Sequence, residues 1–473
     1  MNLFLLNLFG DIHYLILLFI GIGFWTLCIL ALHQVKLTIE ESSIEKIHQA
    51  LLFFFAVNIA VSLIDLFAIM VEIGEMNPYR YQGMYQKYFM NTGDNIRGIT
   101  FDNSTTNAIL SAFGVVYFLI RKQWVMSSLC MIVLLLTASN FTNLLILVCL
   151  IYLFIFKTGR DQKSIIVFHL MLLIVFVSNI SPHNNKYAIG IVEKFFSAPS
   201  TLILPVAAVL PIEQRADSLL TTDQKKYKIA KLYLDSISSV NTAEVMKHQS
   251  ATDSILSSKP IIRKDNIHAP DFQHRPDTSD NRLQVIKLLK QFKVDTLETL
   301  KKIDPVKING KIIAIKQTLQ FLEQHPAKII TGAGTGNFSS KLAFRASGLK
   351  IAGGYPKKYT YISKDFENGH FSIYLDYFSK DTYLHSVANT PNSVYIQIVS
   401  EYGIAGVLTF LFFYVIYFVK HIRRLTYGIP VLLILAGAFC IDYWYEQLSI
   451  VVIFELLILL DLKGVQKNNG SCL

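Results

Sequence analysis

The tightest constraint on this chain is a succession of apolar runs that are as long as a bilayer crossing, or nearly so; a crossing takes roughly 20 residues of helix. They fall at His13–His33, His48–Ile73, Thr105–Ile120, Trp124–Ser139, Phe141–Lys157, Ser164–Ile180, Tyr395–Val419, Gly428–Ile441 and Gln447–Asp461. Those at Thr105–Ile120 and Trp124–Ser139 are short for a span. With 473 residues, 52% hydrophobic and 16% charged, the chain is too apolar for one water-soluble domain. The sequence therefore predicts an all-α polytopic membrane protein of about nine transmembrane helices. Met1 to Gly10 shows no basic start and no small-residue cleavage site, so insertion through the helices themselves is expected. The cysteines Cys28, Cys130, Cys149, Cys440 and Cys472 have no paired spacing, which argues against a disulfide framework or a zinc site.

Basic residues predict the orientation, because cytoplasmic loops collect Lys and Arg. Lys36 and Lys46, Arg121 and Lys122, Lys157, Arg160 and Lys163, Lys420, Arg423 and Arg424, and then Lys463 and Lys467 fall on alternate connections. The other connections have only Arg80, Lys87 and Arg97 in their short loops. The amino end is thus expected outside and the carboxyl end inside. Three regions follow: helices in 1–180, a large outward loop in 181–390, and helices with a short inner tail in 391–473.

The loop, at about 210 residues, is far longer than a packed connection needs. It carries 29 Lys and Arg against 19 Asp and Glu, while the rest of the chain has 15 against 15, so the whole net charge of +10 resides in it. Long loops escape the positive-inside rule, which makes the excess a statement about an anionic ligand rather than topology. Phe195–Pro211 is apolar but broken by three prolines, and is expected in the interface or dipping into the membrane. Asp217–Asp280 is polar and reads as peripheral, whereas Asn281–Ile303 and Ile312–Leu322 have helical periodicity.

Between Thr331 and Tyr359 lies the densest cluster, TGAGTGNFSSKLAFRASGLKIAGGYPKKY. Its glycines imitate a dinucleotide loop, but no βαβ pattern surrounds them. A glycine loop leading into a helix still offers backbone N–H groups to an anion. Lys341 and Arg345 stand four apart on that helix, so the cluster reads either as a tight turn with a solvated basic helix or as a pyrophosphate clamp. Asp65, His169 and Glu455 are ionisable groups inside apolar runs; without relay-like spacing they read first as satisfied interior contacts. Arg97 to Asn103 places a cation, an acid and an amide at the outer surface, level with Thr137–Asn140.

Four segments taken in order, RGITFDNSTTNA (Arg97–Ala108), LLLTASNFTNLL (Leu134–Leu145), TGAGTGNF (Thr331–Phe338) and PNSVYIQIVSEYGIAGVLTF (Pro391–Phe410), make the chain resemble the O-antigen ligase and Wzy-type polysaccharide polymerase superfamily. The resemblance implies a metal-independent, cofactor-free membrane glycosyltransferase. Its donor would be a glycan on undecaprenyl pyrophosphate, its acceptor another glycan or a lipid, at the outer face of the bacterial inner membrane, beside chain-length regulators or other polysaccharide-assembly proteins and with no nucleic acid. Such chemistry needs cations for the departing diphosphate and a base for the acceptor hydroxyl. By the resemblance Arg97 and Arg345 are the catalytic cations, and Lys341, Asn103, Asn392, Tyr395 and Glu401 bind substrate. The family's motif opens with His, but Gly403 and Gly406 place Asn392 at that position and Ser393 after it. His385 is the substitute base carried forward, with His370 as another. This chain also has three leading helices fewer than the family pattern. A polymerase is preferred to a ligase. The alternatives are a lipid-linked oligosaccharide transporter or flippase, and a non-catalytic envelope protein that binds polysaccharide.

Overall fold

The structure is a computed structural model that describes residues 11–81, 92–181, 310–347, 359–371, 373 and 390–470. Phe195–Pro211, Asp217–Asp280, the expected helix Asn281–Ile303, residues 348–358 of the glycine-rich cluster, Lys87 and His385 lie outside these residues. Among the described residues all regular structure is helical. In chain order the main helices are α1 (Ile12–Glu41), α2 (Ile44–Ile73), α3 (Ser104–Ile120), α4 (Trp124–Leu136), α5 (Asn140–Phe156), α6 (Arg160–Ile180), α7 (Gly310–Gln324), α8 (Pro326–Thr331), α9 (Lys341–Ala346), α10 (Lys364–Asn368), α11 (Val394–Arg424), α12 (Gly428–Ala438) and α13 (Leu448–Gly470). Helices α1, α2, α6 and α11 are long and apolar enough to cross a membrane; α3, α4, α5 and α12 are apolar but shorter.

The chain divides into two compact units. One, the loop unit, takes 1–21, 197–261 and 270–406; the other, the bundle unit, takes 22–196, 262–269 and 407–473.

In the bundle unit α3 is buried on every side from Thr106 to Leu119. A helix buried all round belongs at the centre of a bundle, and α3 packs against α4, α5, α6, α12 and α13. The outward faces are apolar too: Phe53, Phe67, Phe156 and Ile174 are exposed, as befits a lipid-facing exterior. Local signals set the helix ends. Ser43 caps α2 by accepting the Lys46 N–H at 3.2 Å, and Gly74 closes it in the left-handed region (φ 74°) with its N–H on the Met70 carbonyl.

Connections gather at two ends of this unit. At one, Lys463 Nζ donates to the carbonyls of Ile39 and Ser42, Asp461 accepts the N–H groups of Thr426 and Gly428, Gln162 donates to the Ile120 carbonyl, and His48 meets Tyr117 and Gln123. Lys46, Arg121, Lys122, Lys157, Arg160 and Lys463 belong to these connections. At the other end Asn77 donates to the Ile180 carbonyl, Tyr79 to that of Leu136, and Thr106 Oγ1 to Gln447 Oε1 at 3.2 Å. The ionisable groups singled out in the apolar runs have interior partners: Glu455 accepts the Tyr414 hydroxyl at 2.5 Å, and His169 lies 3.4 Å from Ser128 Oγ.

In the loop unit α7 covers the expected Ile312–Leu322 helix. It buries Ala314 against Ile373 and Ile396, and Phe321 stacks on Phe338 with ring centres 4.4 Å apart. The first turns of α1 add Tyr14 and Leu17, packed on Leu342 and Ala346.

Candidate functional site

Within the bundle unit the site is built from two polar stripes. Asn58, Ser62 and Asp65 recur at i, i+4 and i+7 on α2, and Asn107 and Ser111 are one turn apart on α3, so each set shares a face. Asn58 Nδ2 donates to Asn107 Oδ1 at 2.8 Å, while Asn107 Nδ2 donates to Ser62 Oγ at 2.9 Å and to the Ile96 carbonyl at 3.2 Å. This network holds the segment that carries Arg97. Asp65 Oδ2 accepts the N–H groups of Arg97 (3.2 Å) and Gly98 (3.4 Å), and Asn58 Oδ1 accepts that of Ile99 at 3.0 Å. Gly98 is required here: its φ is +62°, and an added Cβ would stand 2.3 Å from Asn58 Oδ1.

Arg97 itself is buried, 6% exposed. Burial pushes its guanidinium below the ordinary arginine value, against the pull of the Asp65, Asp94 and Asp102 carboxylates. Asn103, expected to bind substrate, is the N-cap of α3: its Oδ1 accepts Thr106 N–H at 2.7 Å and Thr106 Oγ1 at 2.9 Å. Gly93 abuts the Thr137–Ala138 turn, where an added Cβ would meet the Thr137 carbonyl at 2.5 Å, so the segments around the first two motifs are in contact.

Within the loop unit the third and fourth motifs form one object. Gly332 (φ 72°) and Gly403 (φ 62°) pass backbone to backbone; a Cβ on Gly332 would lie 2.2 Å from the Glu401 carbonyl. Ala333 N–H donates to the Ser400 carbonyl at 2.8 Å and Gly334 N–H to that of Glu401 at 2.9 Å. Gly403 is also where the helical path of α11 is interrupted, at φ 62° and ψ −160°.

The Glu401 side chain then turns into the glycine loop. Its Oε2 accepts the Gly336 N–H at 2.9 Å, and its Oε1 those of Phe338 (3.1 Å) and Ser339 (2.9 Å), with the Ser340 hydroxyl a further donor. The sequence reading has these N–H groups facing a ligand anion; in the fold they face an internal one. A carboxylate with no solvent exposure needs several donors to offset its lost hydration, and the loop supplies them.

No protein-family model, curated protein or solved structure matches this chain.

His370 is equally enclosed. Its Nε2–H donates to the Ala314 carbonyl at 3.0 Å, which leaves Nδ1 to accept the Ser339 hydroxyl at 2.9 Å. Burial, helped by nearby Lys311, pushes it down to about 4, so it is neutral at pH 7. Both ring nitrogens are thus engaged within the loop unit. Lys311 Nζ donates to the Asn392 carbonyl and reaches Thr390 Oγ1 at 3.5 Å. Tyr395, in the first turn of α11, is 42% exposed. Lys341 and Arg345 sit half-buried on α9, one turn apart, and Arg345 makes no hydrogen bond or ion pair among the described residues.

Of the residues expected in the site, Arg345 and Lys341 therefore share one short helix behind the loop that Glu401 fixes, while Arg97 and Asn103 share the bundle network. Asn58 and Asn107 were not anticipated. The signal was present as amides in apolar runs at the helical spacing of Asp65 and Ser111.

Proposed function

We propose that this chain is a membrane glycosyltransferase that polymerises or transfers glycan units from an undecaprenyl pyrophosphate carrier at the outer face of the bacterial inner membrane. The observation that carries the reading is pairwise convergence: of four segments scattered between Arg97 and Phe410, the regions of the first and second meet in the bundle unit, and the third and fourth fold into one another in the loop unit. In this proposal Arg345, assisted by Lys341, meets the departing diphosphate, for which a guanidinium fork suits two phosphate oxygens. Arg97, held in the bundle network, is the second catalytic cation of this reading. The orientation is amino end outside, with nine crossings and the basic loop outward; the clustering of basic connections at one end of the bundle supports it.

The test is the surface polysaccharide of the host cell. Arg345→Ala should abolish long chains while the protein remains in the membrane at normal level, and unchanged chain length would sink the assignment. A binding-only reading has one specific observation behind it: Glu401 and His370, the acid and imidazole nearest the loop, are both fully engaged. Purified protein that saturates with lipid-pyrophosphate glycan yet forms no product would favour it.

A further inference from the structure

We infer that α7 is a membrane-surface element whose outer face lies in the lipid bilayer. This rests on the membrane reading of the chain alone and holds whether or not glycan is transferred. The inner face of α7 is settled: Ala314, Thr318 and Phe321 are buried, Ala314 against Ile373 and Ile396. The opposite face should then be polar if it met water. Instead, beside the exposed Lys316 and Glu323, it carries Ile312 (47% exposed), Ile315 (51%) and Leu319 (61%), which at i, i+3 and i+7 form one stripe.

What covers that stripe follows from what α7 is tied to. Ile396 belongs to the first turn of α11, a helix long and apolar enough to cross a membrane, and Lys311 Nζ holds the Asn392 carbonyl just before that turn. A helix fastened to the entry of a span sits at the level of the bilayer surface. At that level the apolar stripe meets lipid, and the exposed Lys316 at its border is placed to extend its charge towards phosphate headgroups. An aqueous location would leave three large aliphatic side chains in water beside a membrane.

The full chain in nanodiscs of phosphatidylcholine and phosphatidylglycerol tests this, with Cys440→Ser and Cys472→Ser removing reactive thiols and a nitroxide placed at Ile312→Cys, Ile315→Cys or Leu319→Cys. The ratio of collisions with oxygen to collisions with a water-soluble nickel chelate should be several-fold higher at these positions than at Gln320→Cys and Gln324→Cys. Equal ratios would overturn the inference in favour of water. Labels immobilised and shielded from both colliders would overturn it in favour of a protein partner. On the unsubstituted chain, a membrane-dissolved carbene reagent should mark Leu319 in the tryptic peptide 317–328, and an unmarked Leu319 would contradict the placement.

Discussion

Glu401 in the loop unit and Arg97 in the bundle unit are both ionisable and both buried, but they are met by different means. Glu401 is surrounded by dipoles: three backbone N–H groups and a hydroxyl, all from Gly336 to Ser340. Arg97 is surrounded by opposite charges, Asp65, Asp94 and Asp102, and its own backbone is pinned by one of them. Dipoles fixed in a loop have one arrangement, so Glu401 dictates the shape of the loop as much as the loop accepts Glu401. Carboxylates on three segments can share a cation in several ways. The contrast teaches where free charge is left over: the loop's N–H groups are used internally, and Arg345, on the helix that follows, is a half-buried cation with no hydrogen bond or ion pair among the described residues.

The largest effect should separate the two acids. Glu401→Gln turns an amide NH₂ towards donors that need an acceptor, and each buried N–H left without one costs roughly 1–3 kcal/mol. Asp65→Asn keeps an acceptor oxygen for Arg97 and Gly98 and should cost only about 1 kcal/mol. Amide exchange at Gly336, Phe338 and Ser339, against exchange at Arg97–Ile99, reads both, and equal loss of protection in the two variants would break the contrast.

Next comes acid. In the fold His370 is pushed down to about 4, below the ordinary value of 6.5 that the unfolded chain keeps. Between these limits the unfolded state binds more protons, so stability is full above pH 6.5 and falls as pH drops towards 4, by up to about 3 kcal/mol. Protease sensitivity of the loop unit should rise over that window, and His370→Asn should flatten the rise.

Smaller again are the glycines. Gly332→Ala meets backbone at 2.2 Å, whereas Gly98→Ala meets the movable Asn58 amide at 2.3 Å. Both also strain a positive φ by about 1–3 kcal/mol, so Gly332→Ala should be the worse tolerated in expression and thermal aggregation. The smallest stability effect should be Arg345→Ala, within about 0.5 kcal/mol, a direct contrast with Arg97→Ala, which strands three carboxylates and should lower folded yield.

Much of the bundle was legible in the sequence because lipid-facing and interior helices are both written as apolar runs. Even the short run at Thr105 proved a helix, buried all round with its few polar residues hydrogen-bonded inside the bundle. The caps at Ser43, Gly74 and Asn103 are set by local chemistry, and Asn103, expected to bind substrate, also holds the Thr106 N–H. What sequence could not supply was pairing over distance. Gly332 and Gly403 are glycines because each leaves room for the other's backbone, and nothing local announces that. The glycine loop read either as a tight turn or as a clamp for an anion, and a motif does not say whether its N–H groups meet a ligand or a glutamate sixty-odd residues away.

The most direct test of the central claim uses purified chain in nanodiscs with a glycan linked to undecaprenyl pyrophosphate, read by product length and by released diphosphate carrier. The account predicts that the wild type extends or transfers the glycan, and that Arg345→Ala, eluting and melting like the wild type, does neither. Wild-type protein that binds the donor without forming product, or an Arg345→Ala variant as active as the wild type, would contradict it.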